Sequence, residues 1–140
     1  MIIYGAGPIR GNKTFQQNYI QIVQIVEALG HSALSEISSK FGSSIPLSAK
    51  QIYSRDVKWL DGSKLMIAEV SGPSLGVGFE VAYALFKKKI PVLAVYHESA
   101  EQISSMIIGC TDPKLQIQKY VDVDDLRKKI SEFINNHNEN

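Results

Sequence analysis

The sequence predicts an α/β protein built on a single doubly wound, five-stranded parallel sheet with helices on both faces. Five short apolar runs alternate with five segments of helical periodicity along the 140 residues. Right-handed crossovers place the helices of such a chain on both faces of a parallel sheet. The length suits one domain. We therefore expect a flavodoxin-like or Rossmann-like domain over residues 1–134, followed by a polar, frayed tail over residues 135–140.

The predicted strands are short runs rich in aliphatic and β-branched residues. The third run, which begins at Leu65, is apolar without alternation, as a strand that is covered on both faces requires. The last run alternates in polarity. The five strands are predicted at Met1–Tyr4, His31–Ile37, Leu65–Ala68, Ile90–Tyr96 and Leu115–Tyr120.

The predicted helices lie between and after these strands. In the first, apolar residues recur at spacings of three and four, Thr14 suits an N-cap and Gly30 suits the C-terminal stop. The third follows a turn rich in glycine and proline, so we expect it to start only at Phe79. The five helices are predicted at Phe15–Leu29, Leu47–Leu60, Phe79–Phe86, Glu98–Ile108 and Asp122–Asn135.

Composition excludes several classes of protein. The formal net charge of +1 gives no electrostatic case for binding nucleic acid polymers or an anionic membrane. No apolar run approaches the ~20 residues of a membrane span, and the N-terminus lacks the features of a signal peptide. The single cysteine, Cys110, excludes an internal disulfide and suits a reducing compartment, so we expect a cytoplasmic protein. The three histidines lack ligand spacing, and neither metal nor cofactor is expected.

The loops after the strands are the predicted ligand site, because ligands of open α/β sheets bind beyond the carboxyl ends of the strands. The loop after the second strand is rich in serine and glycine and is a candidate lid. The loops are Gly5–Lys13, Ser38–Leu47, Ser71–Gly78 and the segment after Tyr96.

The turn before Phe79 has the composition of a phosphate cradle. It offers the hydroxyls of Ser71 and Ser74 and the amides of Gly76 and Gly78 near a helix N-terminus. Arg10, among the glycines of the first loop, could clamp a phosphate bidentately. This loop is not the G-x-G-x-x-G dinucleotide fingerprint, because Arg10 occupies the third glycine position. The alternatives are a turn that only bends the chain and a solvated arginine.

Three carboxylates are predicted near the same edge of the sheet. Glu80 follows the cradle, Asp56 lies within the second helix, and Glu69 ends the central strand. A carboxylate pair around one substrate suits glycosyl chemistry, with one nucleophile and one acid. The alternatives are that Glu80 is a first-turn acid favoured by the helix dipole and that Asp56 is a solvated helix residue.

Three segments of the chain resemble the nucleoside 2-deoxyribosyltransferase superfamily, and within it the branch of 2'-deoxynucleoside 5'-monophosphate N-hydrolases. The resemblance spans nearly the whole chain, and the most specific part is the PSLGVGFE sequence, whose spacing from Asp56 matches the family. The segments are Tyr4–Gly11, Arg55–Leu60 and Ala68–Glu80.

The resemblance implies a role for each candidate site residue. Glu80 is implied as the nucleophile at the anomeric carbon, Asp56 as the acid that protonates the departing base, and Tyr4 as the residue that orients Glu80. Ser74 and Gly76 are implied to hold the 5'-phosphate, and Ser104 to reach it from the partner subunit of a homodimer. The full set of implied substrate-binding residues is Gly7, Ile9, Arg10, Gly11, Asn12, Lys13, Tyr19, Ser74, Gly76, Ser104, Ser105 and Met106.

The leading hypothesis is therefore hydrolysis of deoxynucleoside monophosphates to free base and 2-deoxyribose 5-phosphate. True transferases of the superfamily typically carry an aspartate where Ser74 stands, and a carboxylate there would repel phosphate. The sequence departs from the hydrolases at Pro8, where they have a serine, and at Ile37, where they have a histidine. The alternatives are base exchange by a transferase, a ribonucleotide-specific hydrolase, and a non-catalytic nucleotide-binding protein.

Overall fold

The computed structural model describes residues 1–9 and 13–138 and has the predicted α/β architecture. Strands and helices alternate, and a π-helical turn at Tyr83–Lys88 continues α3. The strands are β1 (Ile2–Ala6), β2 (Ser32–Leu34), β3 (Leu65–Glu69), β4 (Val92–His97) and β5 (Leu115–Tyr120). The helices are α1 (Lys13–Ala28), α2 (Ala49–Asp61), α3 (Leu75–Ala82), α4 (Ser105–Ile108) and α5 (Val123–His137).

The five strands form one parallel sheet in the order β2-β1-β3-β4-β5, which confirms the predicted fold class. Tyr4 of β1 lies opposite Met66 of β3, and Ala68 lies opposite Ala94 of β4. β2 pairs with one edge of β1 and β3 pairs with the other, so the strand order reverses direction at β1. A crevice therefore opens between the carboxyl ends of β1 and β3, where ligands of this architecture bind.

The two faces of the sheet carry separate cores. α1 and α5 cover one face, and α2, α3 and α4 cover the other. In β3, Leu65 and Ile67 pack into the first core, whereas Met66 and Ala68 pack into the second. This double coverage explains why the β3 sequence is a continuous apolar run.

The structure corrects the predicted start of α3. The helix begins at Leu75 and not at Phe79, because Ser74 acts as its N-cap and accepts a hydrogen bond from the Val77 amide at 3.3 Å. Gly76 and Gly78 lie inside the helix. Burial of Val77 on the sheet stabilises this first turn and outweighs the low helix propensity of glycine.

Several other boundaries also differ from the predictions. Only Ser32–Leu34 pairs with β1, so β2 is shorter than His31–Ile37. α4 has four residues, because Ser104 caps it late. Thr14 is not an N-cap, since α1 begins at Lys13. α5 continues to His137, so the first three residues of the predicted tail are helical.

The helix α2 starts two residues later than predicted, and its N-cap explains the position. The predicted start is Leu47, and the observed helix begins at Ala49 after the N-cap Ser48. Ser48 Oγ accepts from the Gln51 amide at 3.1 Å, and Gln51 Oε1 accepts from the Ser48 amide at 2.9 Å. This capping box fixes the helix start.

No helix within the described part of the chain is long and apolar enough to cross a membrane. The serine-rich segment after β2 consists of turns, and its role as a lid stays a prediction.

We predict that Gly7→Ala destabilises the fold. A Cβ at Gly7 would lie 2.5 Å from Cγ of Tyr19. The Tyr19 ring cannot retreat freely, because its hydroxyl donates to the Gly5 carbonyl at 2.9 Å and lies 2.6 Å from Ser35 Oγ. We expect the free energy of unfolding in urea to fall by about 1–3 kcal/mol.

The matched control is Gly78→Ala, where no heavy atom lies within 4 Å of the added Cβ. Since alanine is the better helix former, this variant should equal the wild type or gain about 0.5–1 kcal/mol. A Gly7→Ala protein as stable as the wild type would show that the Tyr19 ring yields without cost.

Candidate active site

Two adjoining cavities form one groove in the crevice between β1 and β3. Their volumes are about 370 and 390 Å³. Both are lined by Glu36, Ile52, Gly76 and Glu80, so these four residues form the middle of the groove. A ligand that fills both cavities passes over Glu80.

The two ends of the groove differ in chemistry. One end is largely apolar and aromatic, and its lining includes Tyr53, Val57, Leu60 and Phe79. The rings of Tyr53 and Phe79 meet edge to face with centroids 6.2 Å apart. The other end is formed by loop backbone and the start of α3, and its lining includes Gly7, Pro8, Ile9, Pro73 and Ser74.

Glu80 projects from α3 and is bonded to β1. The Tyr4 hydroxyl donates a hydrogen bond to Glu80 Oε2. Burial raises the pKa of Glu80 to about 7; the Tyr4 hydrogen bond opposes this rise, while Asp56 and Glu36 add to it. Glu80 is therefore partly protonated near neutral pH in the free protein.

Tyr4 is a permanent hydrogen-bond donor in this site. Its side chain is buried in the core. Burial, and then the charge of Glu80, raise the pKa of the Tyr4 phenol well above its ordinary value. The phenol therefore keeps its proton near neutral pH, so it can orient Glu80 but cannot act as a base.

Asp56 and Glu36 lie beside Glu80 and share a cation. Arg55 Nε donates to Asp56 Oδ1 at 2.9 Å, and Arg55 Nη2 lies 3.7 Å from Glu36 Oε2. Burial raises the pKa of both carboxyls, and Arg55 opposes the rise in each case. Asp56 and Glu80 line the same cavity, so the structure brings these two predicted site residues together.

Glu36 is the site residue that the sequence interpretation missed. It lies within the predicted second strand, His31–Ile37, but β2 ends at Leu34. The chain then turns, with the Ser38 amide bonded to the Ser35 carbonyl at 3.1 Å, and Glu36 lines the groove. An acidic residue just past the carboxyl end of a strand was the available signal.

The polar end retains only part of the predicted cradle. Ser74 lines it as the N-cap of α3, and Gly76 follows in the first helical turn, where amides lack partners within the helix. The Gly78 amide instead donates to the Ser74 carbonyl at 3.1 Å. Ser71 is buried, and its Oγ accepts from the His97 amide at 2.8 Å. Gly78 and Ser71 therefore do not contribute to the cradle.

Glu69 lies on the other side of the sheet from Glu80. Alternation along β3 directs it toward the α1 and α5 face, where Tyr120 donates to its Oε2 and the Ser71 amide donates to its Oε1 at 2.5 Å. It is 1% exposed. The prediction that Glu69 meets Glu80 and Asp56 is therefore wrong, and Glu36, which the sequence did not predict, is the third carboxylate of the groove.

The remaining predicted substrate residues are divided among several locations. Gly7 and Ile9 line the polar end of the groove, and Lys13 begins α1 with an exposed side chain. Tyr19 is packed in the core beneath Gly7 and is absent from the groove lining, because its ring fills the space between α1 and the sheet. Arg10, Gly11 and Asn12 lie outside the described residues.

A third cavity, of about 380 Å³, lies on the opposite side of the α3 N-terminus. Ser74 and Leu75 line it together with Ser104 and Met106. Ser105 follows Ser104 as the first residue of α4 and is exposed. Because Leu75 and Met106 are 97% and 84% exposed, an apolar surface surrounds this cavity.

Among residues 1–9 and 13–138, no group of three or more His, Cys, Asp or Glu side chains is arranged to hold a metal ion. The carboxylates of the groove are instead held by Tyr4 and Arg55. Their arrangement suits nucleophilic and proton-transfer chemistry on a small ligand.

The fold and the groove define an α/β protein that binds a small ligand at the carboxyl edge of a parallel sheet. The chain belongs to the nucleoside 2-deoxyribosyltransferase family, whose model matches residues 3–132. A Syntrophotalea carbinolica protein named "Putative 2'-deoxynucleoside 5'-phosphate N-hydrolase 1" is 38% identical over 130 residues, which cover 90% of this chain and 89% of that protein.

A further relative agrees with this assignment, and a solved structure shares the fold. The 5-hydroxymethyl-dUMP N-hydrolase of Esox lucius is 34% identical over 126 residues, which cover 86% of this chain and 87% of that protein. The solved structure of a Clostridium botulinum CMP N-glycosidase superposes with a TM-score of 0.67 at 15% identity, covering 92% of this chain and 97% of that one. At this identity the structural likeness establishes the fold.

The raised pKa of Glu80 predicts a pH-dependent effect of Glu80→Gln on stability. The pKa of Glu80 is about 7 in the folded state, against 4.5 for an ordinary glutamate in the unfolded chain. Between pH 4.5 and pH 7, Glu80 therefore keeps its proton in the folded state and has lost it in the unfolded state. The Glu80 contribution to the free energy of unfolding therefore falls as pH rises through this window. Glu80→Gln should be more stable than the wild type at pH 8 by ~1–3 kcal/mol.

Urea unfolding of both proteins at pH 4 and pH 8 measures this difference, which should shrink toward zero at pH 4. Glu132→Gln makes the same substitution at an exposed position of α5, outside the groove, and is the matched control. A Glu80→Gln difference that is equal at both pH values contradicts the prediction.

Proposed function

We propose that this protein hydrolyses the N-glycosidic bond of 2'-deoxynucleoside 5'-monophosphates and releases free base and 2-deoxyribose 5-phosphate. The observation that carries the proposal is the groove with Glu80 at its middle, an apolar end beside Tyr53 and Phe79, and a polar end at Ser74. A nucleotide has the same order of parts: a flat base, a reactive anomeric carbon and a phosphate.

The chemistry proceeds in two steps on this geometry. Ionised Glu80 attacks C1', the bond from C1' to the base nitrogen breaks, and Asp56 gives a proton to the departing base. Water then attacks C1' of the glycosyl-enzyme, gives its proton to Asp56 and frees the Glu80 carboxylate. The pair needs one proton and one negative charge at the start. Burial raises the pKa of both carboxyls above their ordinary values, so the pair retains a proton more readily than two free carboxyls would.

Tyr4 directs the nucleophile in this scheme. Its hydroxyl holds Glu80 Oε2, which leaves the other carboxylate oxygen free for attack. Because the phenol stays protonated, the same contact stabilises Glu80 as the leaving carboxylate in the second step.

The polar end of the groove favours a phosphate over a free 5'-hydroxyl. Ser74 and the first-turn amide of Gly76 lie at the positive end of the α3 dipole. A serine hydroxyl donates to phosphate, whereas a carboxylate at this position would repel it. The resemblance also assigns Arg10, a cation, to substrate binding, together with the neighbouring residues Gly11, Asn12 and Lys13. The names of the two relatives, both N-hydrolases of phosphorylated deoxynucleosides, agree with this preference.

Base exchange between nucleosides is the second candidate, and the family name favours it. A transferase uses the same glycosyl-enzyme and differs only in the acceptor, which is a second base in place of water. Ser74 favours hydrolysis of a monophosphate over this reaction. A non-catalytic nucleotide-binding protein is disfavoured by the Tyr4–Glu80 and Arg55–Asp56 hydrogen bonds, which hold two carboxylates in a cavity at the cost of their desolvation.

We also propose a homodimer in which Ser104 completes the phosphate end of the neighbouring site. The exposed apolar side chains of Leu75, Phe79, Phe86 and Met106 around the third cavity support a second copy of the chain there. Ser104 and Met106 line that cavity beside Ser74.

A base-release assay tests the proposed function. Wild-type protein should release base from deoxynucleoside monophosphates, and Glu80→Gln should lower kcat by ~10³-fold or more, because the amide cannot form the glycosyl ester. Matched deoxynucleosides without phosphate and matched ribonucleotides are the substrate controls. A folded Glu80→Gln protein that retains activity would exclude Glu80 as the nucleophile, and transfer of deoxyribose to an added second base would identify a transferase.

Mixed dimers test the shared site. We expect Glu80→Gln and Ser104→Ala proteins to be weak or inactive alone at low substrate concentration. After they are unfolded together and refolded, mixed dimers contain one site with Glu80 from one subunit and Ser104 from the other, so part of the wild-type activity should return. If Ser104 acts within its own subunit, no mixed dimer has an intact site and no activity returns.

A further inference from the structure

The side chain of Arg55 is placed between the carboxylates of the groove and is not part of the nucleotide chemistry described above. Its Nε is bonded to Asp56 at 2.9 Å, and its Nη2 lies 3.7 Å from Glu36. The guanidinium also lies 4.7 Å from the centre of the Trp59 ring. Among the ion pairs of the described residues, those of Arg55 are the ones that reach the groove carboxylates.

The Arg55 guanidinium is fixed in position and little hydrated. Its side chain is 17% exposed, and Trp59, packed against the second core, supports it from one side. A planar guanidinium that stacks on an aromatic ring and bonds a carboxylate through Nε has little freedom to turn. The direction of the Asp56 carboxylate is therefore set by Arg55.

Arg55 also opposes the electrostatic cost of grouping three acids. Burial raises the pKa of Glu36, Asp56 and Glu80, and the positive charge of Arg55 lowers each of them. Among residues 1–9 and 13–138, the other titratable groups that interact with these acids are the phenols of Tyr4 on β1 and Tyr19 on α1. Neither phenol carries a positive charge, so neither can replace the guanidinium.

We propose that Arg55 is a positioning residue: its guanidinium aims the Asp56 carboxylate into the groove and offsets one of the three negative charges grouped there. The inference deepens the proposed function and rests on it for its kinetic consequences. The electrostatic part concerns the free protein and holds whether or not a nucleotide is the substrate.

Replacing Arg55 by a neutral residue has a defined direction of effect. Without the cation, each carboxylate holds its proton to higher pH, because the repulsion among the three acids is no longer offset. A smaller fraction of Glu80 is then ionised at a given pH below neutrality. Asp56 also loses the hydrogen bond that fixes its direction.

The first measurement uses no substrate. Side-chain carboxyl carbons of Glu80 and Asp56 are titrated by ¹³C NMR in the wild type and in Arg55→Gln. We expect both titrations to move to higher pH by about one unit. Lys58→Gln is the matched control, because it removes the same charge from an exposed position of the same helix, and its titrations should coincide with the wild type. Coincident titrations of Arg55→Gln and wild type overturn the proposal.

If Arg55→Gln does not fold, Arg55→Met takes its place with the same expectation, because the methionine side chain can still cover Trp59. Arg55→Lys separates charge from geometry. Lysine keeps the positive charge, so the titrations should return close to the wild type. It cannot reproduce the planar contact with Asp56, so kcat should stay below the wild type. Arg55→Lys titrations that match those of Arg55→Gln would also overturn the proposal.

The kinetic measurement is the pH profile of kcat/KM for base release. Its acid limb should move to higher pH by about one unit in Arg55→Gln, which is about a tenfold loss on that limb, and Lys58→Gln should leave it unmoved. A residue with a purely structural role would lower activity without moving the limb. If the wild type releases no base, the proposed function fails, and the NMR titration still decides whether Arg55 controls the carboxylates.

Discussion

The hydrogen bond from Tyr4 to Glu80 is the interaction on which the site depends. It joins β1 to α3, which lies on the far side of the crevice. The groove therefore has its present shape only when β1, β3 and α3 are all in place. A buried carboxylate without a donor would be costly, and a buried phenol without an acceptor would be costly as well. Each group satisfies the other. The pairing fixes the Glu80 side chain before any ligand arrives, which is what a nucleophile needs.

The same pair of groups occurs a second time at this edge of the sheet with a different result. Tyr120 donates to Glu69 on the α1 and α5 face, just as Tyr4 donates to Glu80 on the other face. Glu69 is sealed by the Ser71 amide and by the α1/α5 core, whereas Glu80 borders the groove. Access, and not the partner, therefore separates a structural carboxylate from a candidate catalytic one. The Glu69 pair fixes the turn that leads to Ser74, so it supports the site from behind the sheet.

The fold could be predicted from the sequence because its signals are local and repeated. Continuous apolar runs indicated doubly covered strands, and alternation of strands with helices indicated a parallel sheet. The site could be predicted only in part. The resemblance identified Glu80, Asp56 and Tyr4, which the structure brings together. Sequence order alone could not say that Glu69 points to the opposite face, since the phase of alternation in a uniformly apolar strand is not visible.

Other differences arise from competition between local signals and packing. Glycines predicted a long turn before α3, but the Ser74 cap and the burial of Val77 start the helix four residues earlier. Tyr19 was assigned to the substrate by resemblance, yet its ring is needed to fill the space under Gly7. Glu36 was missed because the predicted second strand extends to Ile37, whereas β2 ends at Leu34. In each case a tertiary contact decided the position, and such contacts are not encoded in the spacing of neighbouring residues.

The earlier start of α3 changes the meaning of Gly76. As a helix residue it is four positions before Glu80, so the two lie on the same face about 6 Å apart along the axis. Both residues line both cavities and therefore lie at the middle of the groove. A side chain at position 76 would stand in the path between the phosphate end and Glu80, whereas glycine leaves that path open. Glycine costs a helix interior up to ~1 kcal/mol relative to alanine, and the open path explains why a residue so unfavourable for a helix stands in its first turn.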